Sequence, residues 1–276
     1  MALIPPFFID CVVAVGNRNP NGEKRWFGTG FLVGRHHKEV PAEKKNYHLF
    51  LVTNKHVLKN IESILVRFNP KTEEPARDYD ISLIPRKELV MVGHPDPDID
   101  VVAISINADL LQKDQARFAF FALDEHTLRI ADIKEHGISE GDFVYVLGFP
   151  MGIVSPDRQY VIVRAGVIAR LRDAVDKKSR EFLIDANVFP GNSGGPVVLK
   201  PEVVSIEGTK STNRGTLIGI ITSYVPYQDV AISQQTGRPR IIFEENSGLA
   251  AVVPSDFIIE TVEEAFKQLM ARHTQA

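Results

Sequence analysis

The sequence predicts an all-β body closed by one C-terminal helix, and three observations carry that expectation. Short runs rich in Val, Ile and Phe recur between residues 7 and 253, each bounded by turn residues. Hydrophobic residues fill 44% of the 276 positions, enough to bury the core of one large all-β domain or two smaller ones. Only the end of the chain changes period. Behind Ser255, a good N-cap residue, Phe257, Ile258, Val262, Ala265, Phe266, Leu269 and Met270 recur at helical spacing. Roughly a dozen short strands separated by turn signals point to a barrel or a sandwich.

In chain order, residues 7 to 16 and 27 to 34 read as a hairpin around the turn-rich Asn17-Arg18-Asn19-Pro20-Asn21-Gly22. A loop rich in Lys and His from His36 to Asn46 leads to a strand at Tyr47 to Thr53. The run Ile64 to Phe68 is the next strand, followed by a polar surface loop from Pro70 to Asp80 and strands at Ile81 to Ile84 and Leu89 to Val92. The turn His94-Pro95-Asp96-Pro97-Asp98-Ile99-Asp100 opens into a strand over Val101 to Ile106. From Ala108 to Gly141 the pattern loosens, which marks a link between two β subdomains, 1–125 and 126–254, ahead of a helix over 255–276. Strands resume at Phe143 to Leu147, Tyr160 to Val163, Ala165 to Ala169, Phe182 to Ile184, Pro196 to Leu199, Thr216 to Thr222 and Leu249 to Val253. The intervening stretches Pro201 to Gly215 and Pro226 to Ser247 exceed what a minimal scaffold needs and read as mobile loops over a cleft.

Bulk properties exclude several function classes. A net charge of −3 gives no electrostatic case for nucleic acid or an anionic membrane surface. No apolar run approaches the roughly 20 residues of a membrane-spanning helix. The single cysteine, Cys11, lies in an apolar run, so no intrachain disulfide can form and a buried, inert thiol is expected. The first ten residues lack a basic segment and carry two prolines and Asp10, which argues against a signal peptide. Together these features predict a cytoplasmic protein. No metal or other cofactor is expected, and the oligomeric state is left open.

The chemistry centres on Pro190-Gly191-Asn192-Ser193-Gly194-Gly195-Pro196. A serine among three glycines lies where the backbone bends sharply and leaves its amides uncovered, so the N–H groups of Gly191 and Ser193 can hold a developing oxyanion. Serine needs a base, and the base needs an acceptor that fixes its tautomer. Of the eight histidines, only His56 directly follows a strongly apolar strand. Asp96, Asp98 and Asp100 compete as its partner, with Asp100 preferred because it abuts the apolar run Val101 to Ile104. A Gly-x-Ser-x-Gly also suits an α/β-hydrolase elbow, but that fold requires a helix after the serine and a later histidine. Here Pro196 to Leu199 reads as strand, and His273 alone follows.

Gly28-Thr29-Gly30-Phe31-Leu32-Val33, Val52-Thr53-Asn54-Lys55-His56-Val57, Asp100 to Ile104, Gly148-Phe149-Pro150-Met151-Gly152, Pro190 to Pro196, Leu217 to Ile220 and Ala251 to Ser255 together resemble the trypsin-like serine peptidases, closest to the HtrA/Deg branch. The resemblance implies a chymotrypsin-like fold of two six-stranded antiparallel β-barrels with the site between them. It implies a serine endopeptidase acting on polypeptide through an acyl-enzyme. His56 would be the general base, Asp100 would orient it, and Ser193 would be the nucleophile, with Gly191 and Ser193 forming the oxyanion hole. Asn187 would lie at the back of the primary specificity pocket, and Thr222, Ser223 and Tyr224 would form its wall and the substrate-pairing edge. With no negative charge at Asn187, a small or medium uncharged side chain is the expected preference. Asn192 replaces the aspartate that pairs with a new N-terminus in digestive members, so no zymogen step is expected, and the sequence carries no recognisable PDZ domain after Pro254. Activity should rise as His56 loses its proton. The competing expectation is a catalytically silent, protease-like module that binds peptide or serves as a scaffold.

Overall fold

The computed structural model describes residues 4–37, 45–84, 90–201 and 215–274. Its first part runs α1 (Pro6–Ile9), β1 (Val12–Arg18), β2 (Lys24–His36), β3 (Tyr47–Thr53), β4 (Ser63–Pro70), β5 (Arg77–Ser82), β6 (Met91–Gly93) and β7 (Val102–Ile106). Then follow α2 (Ala108–Lys113), β8 (Ala116–Arg117), β9 (Phe121–Ala122) and α3 (Ile130–Glu135). The second part holds β10 (Phe143–Gly148), β11 (Ile162–Arg170), α4 (Arg172–Val175), β12 (Phe182–Asp185), β13 (Pro196–Leu199), β14 (Thr216–Ile232), β15 (Pro239–Pro254) and α5 (Ser255–Thr274).

The protein is mostly β. Strands β10-β11-β12-β15-β14-β13 close into a six-stranded barrel. The N-terminal strands form a curled nine-stranded sheet in the order β5-β4-β1-β2-β3-β7-β6, with β8 added on β4 and β9 on β2. The expected pair of closed six-stranded barrels is therefore met by one closed barrel and one curled sheet among the described residues.

Continuous apolar runs become strands here because both faces are covered. In β3, Leu51 joins Val13, Leu32 and Ile104 in the hollow of the curled sheet. Its neighbours Phe50 and Val52 face the other way, into a central cluster with Phe31 of β2, Phe149 just beyond β10, Leu217 and Ile220 of the closed barrel and Ile258, Val262 and Phe266 of α5. That cluster welds the two β units and the helix into one core. Polar ties reinforce it: Arg35 pairs with Glu263, His94 Nε2 lies 3.0 Å from Glu260, and Gln159 bonds Val12 O and Ala14 N. Cys11 is fully buried, and that burial drives its thiol well above the usual range.

Several expected boundaries shift. The polar loop after Pro70 ends at Arg77, because Arg67 and Asp78 sit opposite each other and turn charged residues into a paired strand. The runs at 160–163 and 165–169 fuse into β11. Ser255 is the first helical residue, its hydroxyl donating to Leu128 O, while Asp256 accepts from Ile130 N. The segment from Pro226 to Ser247 is not a loop over a cleft but a regular hairpin of β14 and β15. Within the loose link, β9 pairs with β2 and Thr127 bridges to Leu217 of the closed barrel. Leu89, the middle of the Lys/His-rich segment, and nearly all of Pro201 to Gly215 lie outside the described residues.

Candidate active site

His56 stands on a single helical turn, His56–Leu58, right after β3, so the stiff strand aims it. Asn54 donates from Nδ2 to Asp100 O at 2.7 Å, and Lys55 Nζ donates to His94 O and Asp96 O. These bonds clamp the aspartate-bearing turn to the end of β3. The His56 amide donates to Asp100 Oδ1 at 3.0 Å, and its ring Nδ1 lies 2.5 Å from Asp100 Oδ2. A carboxylate only accepts, so Nδ1 carries the proton and Nε2 is left as the basic nitrogen. The two competing carboxylates are engaged elsewhere: Arg180 pairs with Asp96 at 2.8 Å and with Asp98 at 2.7 Å.

The turn bearing Ser193 is built by glycine stereochemistry. Gly191 has φ of +98°, and a Cβ there would stand 2.5 Å from Phe149 O. Gly194 has φ of +84°, and its Cβ would meet Thr29 O at 2.0 Å. Asn192 is fully buried and staples the turn from inside, its Oδ1 accepting from Phe189 N and its carbonyl accepting from Gly195 N. Pro190 O accepts from Met151 N at 2.6 Å, which fixes the plane of the peptide that carries the Gly191 N–H. Among the described residues, the amides of Gly191 and Ser193 donate to no protein acceptor. Both remain available to an oxygen of a bound molecule.

Thr29 joins this turn to the other β unit and was given no role from the sequence. Its amide donates to Ser193 O at 3.0 Å, and its hydroxyl donates to Gly191 O at 2.6 Å while accepting from Phe149 N. Its own carbonyl accepts from the Thr53 hydroxyl at 2.7 Å. The available signal was a threonine between two glycines inside an apolar strand, where close backbone approach is required.

The Ser193 hydroxyl donates to Thr222 O at 3.1 Å, and among the described residues no hydrogen bond joins it to His56. Thr222 is the extra residue of a bulge between Ile221 and Ser223, which frees its carbonyl from the ladder. The Thr222 hydroxyl has one proton to share between two acceptors, Glu181 at 3.1 Å and Ala251 O at 3.2 Å. Ser223 is exposed opposite Ala251, and the Tyr224 hydroxyl donates to Glu244 at 2.7 Å, a bond that raises the phenol's pKa. Asn187 is solvent-exposed beside Gly248. Thus residues 56 and 100 are in direct contact, 191 and 193 share one turn, and 187 and 222–224 lie on segments flanking that turn.

A cavity of about 720 Å³ lies elsewhere, lined by Tyr47, His48, Phe68, Tyr79, Ile106 and Leu269, and contains none of these groups. Among the described residues, no cluster of three or more His, Cys, Asp or Glu side chains is arranged to hold a metal ion.

Comparison with known proteins identifies the family. The family described as trypsin-like peptidase domain matches residues 28–204. A DegP-like periplasmic serine endoprotease of Ectopseudomonas mendocina is 27% identical over 74% of this chain and 34% of its own length. Its counterpart in Hahella chejuensis is 26% identical over 83% of this chain and 39% of its own length. The chain therefore spans little more than a third of the curated relatives it matches. Their names overturn the cytoplasmic expectation, because these relatives are named as probable periplasmic endoproteases. A lone buried cysteine carries no information about compartment.

Proposed function

This chain belongs to the trypsin-like peptidase domain family, and on that premise we propose that it is a serine endopeptidase in which Ser193, His56 and Asp100 form the catalytic triad. The observation that carries the proposal is the 2.5 Å approach of His56 Nδ1 to Asp100, which leaves Nε2 free to act as a base. Ser193 Oγ leaves Thr222 O by a rotation of about 120° about χ1, one staggered well to the next, and gives its proton to His56 Nε2. The alkoxide adds to the scissile carbonyl, whose oxygen takes the hydrogen bonds of Gly191 N–H and Ser193 N–H. His56 then protonates the departing amine, leaving an acyl group on Ser193. Water, deprotonated by the same imidazole, releases it. Asp100 fixes the tautomer and stabilises the imidazolium throughout, as in the general triad scheme.

The substrate is polypeptide, paired as an added strand along Thr222, Ser223 and Tyr224 with its side chain toward Asn187. The curled sheet corresponds to the first barrel of a two-barrel peptidase, with 1–125 and 126–254 as its halves and 255–276 as the closing helix. The names of the relatives support a periplasmic setting.

A fluorophosphonate probe with casein as substrate tests the reading. Labelling and casein cleavage in the wild type, both lost in Ser193→Ala, are expected. Wild-type protein that neither labels nor cleaves would leave the silent peptide-binding module, which the Ser193 bond to Thr222 favours.

A further inference from the structure

Residues 179–181 lead into β12, and a local staple fixes their shape. The Ser179 hydroxyl accepts from Glu181 N at 3.0 Å and donates to Glu181 O at 2.6 Å. From that stapled segment Arg180 crosses to the curled sheet. Its guanidinium donates to both carboxylate oxygens of Asp96, at 3.3 and 2.8 Å, and to Asp98 at 2.7 Å. Asp96 organises its turn: its carboxylate accepts from Asp98 N at 3.0 Å, its carbonyl accepts from Ile99 N, and its amide donates to His94 Nδ1. Ile99 is buried in the central cluster, and Asp100 follows it directly. Arg180 thus grips the carboxylate around which the chain turns into Asp100.

Glu181 stays within its own barrel. Its carboxylate lies 3.1 Å from the Thr222 hydroxyl, and the Thr222 carbonyl holds the hydroxyl of Ser193. Neighbouring Cα atoms are about 3.8 Å apart, so a path from the Asp100 turn to the Ser193 bond runs through two successive residues. Among the described residues, Arg180 supplies the only ion pairs between the turn 94–100 and the closed barrel.

Building on the triad of Ser193, His56 and Asp100, we propose that Arg180 is a positioning residue, which sets the His56–Asp100 pair in register with Ser193 across the junction of the two β units. The contact between His56 and Asp100 is held within the curled sheet, by the His56 amide and by Asn54. Loss of Arg180 therefore leaves that contact whole and frees only its placement relative to Ser193. Three bonds from one planar fork need a guanidinium, and an ammonium cannot reproduce them. With Arg180 50% and Asp98 76% exposed, these ion pairs add little to global stability. Their effect is geometric, and a misplacement of about 1 Å can cost about 100-fold in rate.

Two readouts on the full chain test it. Nitroxide labels on Lys59→Cys, just beyond the His56 turn, and on Ser223→Cys, just beyond the bulge, report the spacing by electron-spin dipolar coupling. Cys11 is buried and stays unlabelled. A single narrow distance is expected, and Arg180→Gln should spread it. A distribution that Arg180→Gln leaves unchanged overturns the proposal, whether or not the chain cleaves casein. In turnover, Arg180→Gln should lower kcat on casein by about 10 to 100-fold with KM within about twofold. Its Tm should move by no more than about 4 °C, and Arg180→Lys should recover only part of kcat. Asp96→Asn with Asp98→Asn should reproduce the loss and add nothing to that of Arg180→Gln. A kcat that holds while Tm falls would make Arg180 a structural residue and also overturns the proposal. Wild-type protein that takes no fluorophosphonate, while Arg180→Gln still spreads the distance, counts against the triad and for the tie.

Discussion

The hydroxyl of Ser193 donates to the carbonyl of Thr222, 3.1 Å away. In the proposed triad this bond competes with the one the Ser193 hydroxyl must donate to His56, and a neutral hydrogen bond of this type is worth about 0.5–1.5 kcal/mol. Activation thus requires only that a ligand or a small shift of the bulge offset that amount. Peptide pairing along Ser223 and Tyr224 acts on the same segment. Acylation by a probe carrying a peptide that spans this edge should exceed that by a minimal fluorophosphonate by about fivefold or more. Equal rates after correction for probe reactivity would show that the Thr222 bond imposes no barrier.

Asp100→Asn keeps the side chain's shape but can present its amide N–H to His56 Nδ1, stabilising the wrong tautomer. In the established triad example the loss in kcat is about 10⁴, and the same order is expected here. Casein turnover near the wild-type value would shift the orienting role to Asp96 or Asp98, which Arg180 occupies.

Thr29→Val removes one hydroxyl and leaves Gly191 O and Phe149 N without their bond. Two buried groups lose a partner at about 1–3 kcal/mol each, so Tm should fall by several degrees. The relaxed turn should also lower kcat by about 10 to 100-fold with little change in KM. A melt that shifts while kcat stays constant would make Thr29 a purely structural residue.

Met151 holds the Pro190 carbonyl from a left-handed backbone, φ +56°. Glycine adopts that conformation freely and a β-branched residue resists it. Met151→Gly should therefore keep kcat within about twofold, whereas Met151→Val should lower it about tenfold or more by misaligning the Gly191 amide. The two variants differ in backbone preference at one position, and identical rates would disconnect that peptide plane from catalysis.

Asp78 supplies a pH-dependent part of stability. Burial pushes its carboxyl up, but hydrogen bonds from Arg67 and Lys24 outweigh burial and hold it below the usual value. A group depressed in the folded state contributes its stability above the unfolded value of about 3.9, and loses it as pH falls through the folded value. Urea midpoints should drop as pH is taken below about 4. Asp78→Asn should lose about 3–5 kcal/mol at neutral pH, because Arg67 is left buried with a missing partner, and its stability should vary less with acid. An unchanged acid slope in the variant would assign that dependence to other carboxyls.

What the sequence made legible follows from how local each signal is. The strands over 47–53 and 102–106 were readable because apolar runs bounded by turns need no knowledge of partners. Contact between residues 56 and 100 was readable because each flanks a buried strand, and β3 and β7 pair directly. The flanking Gly28 and Gly30 marked Thr29 as a place of close backbone approach, but its partner was not readable, since the bond to Gly191 spans 162 residues. The hairpin was mistaken for a loop because Gln, Ser, Thr and Gly around 233–237 resemble coil, although the β-branched and aromatic Val230, Ile232, Ile241, Ile242 and Phe243 on either side of that turn favour strand.

The crossing of Thr29 onto the serine turn means that the reactive loop is encoded in one half of the chain but suspended from the other. Any spreading of the halves slackens that suspension before either half melts. For the proposed peptidase, catalytic competence would then report whether the halves are seated together, and a partly opened molecule would be switched off instead of loose and destructive.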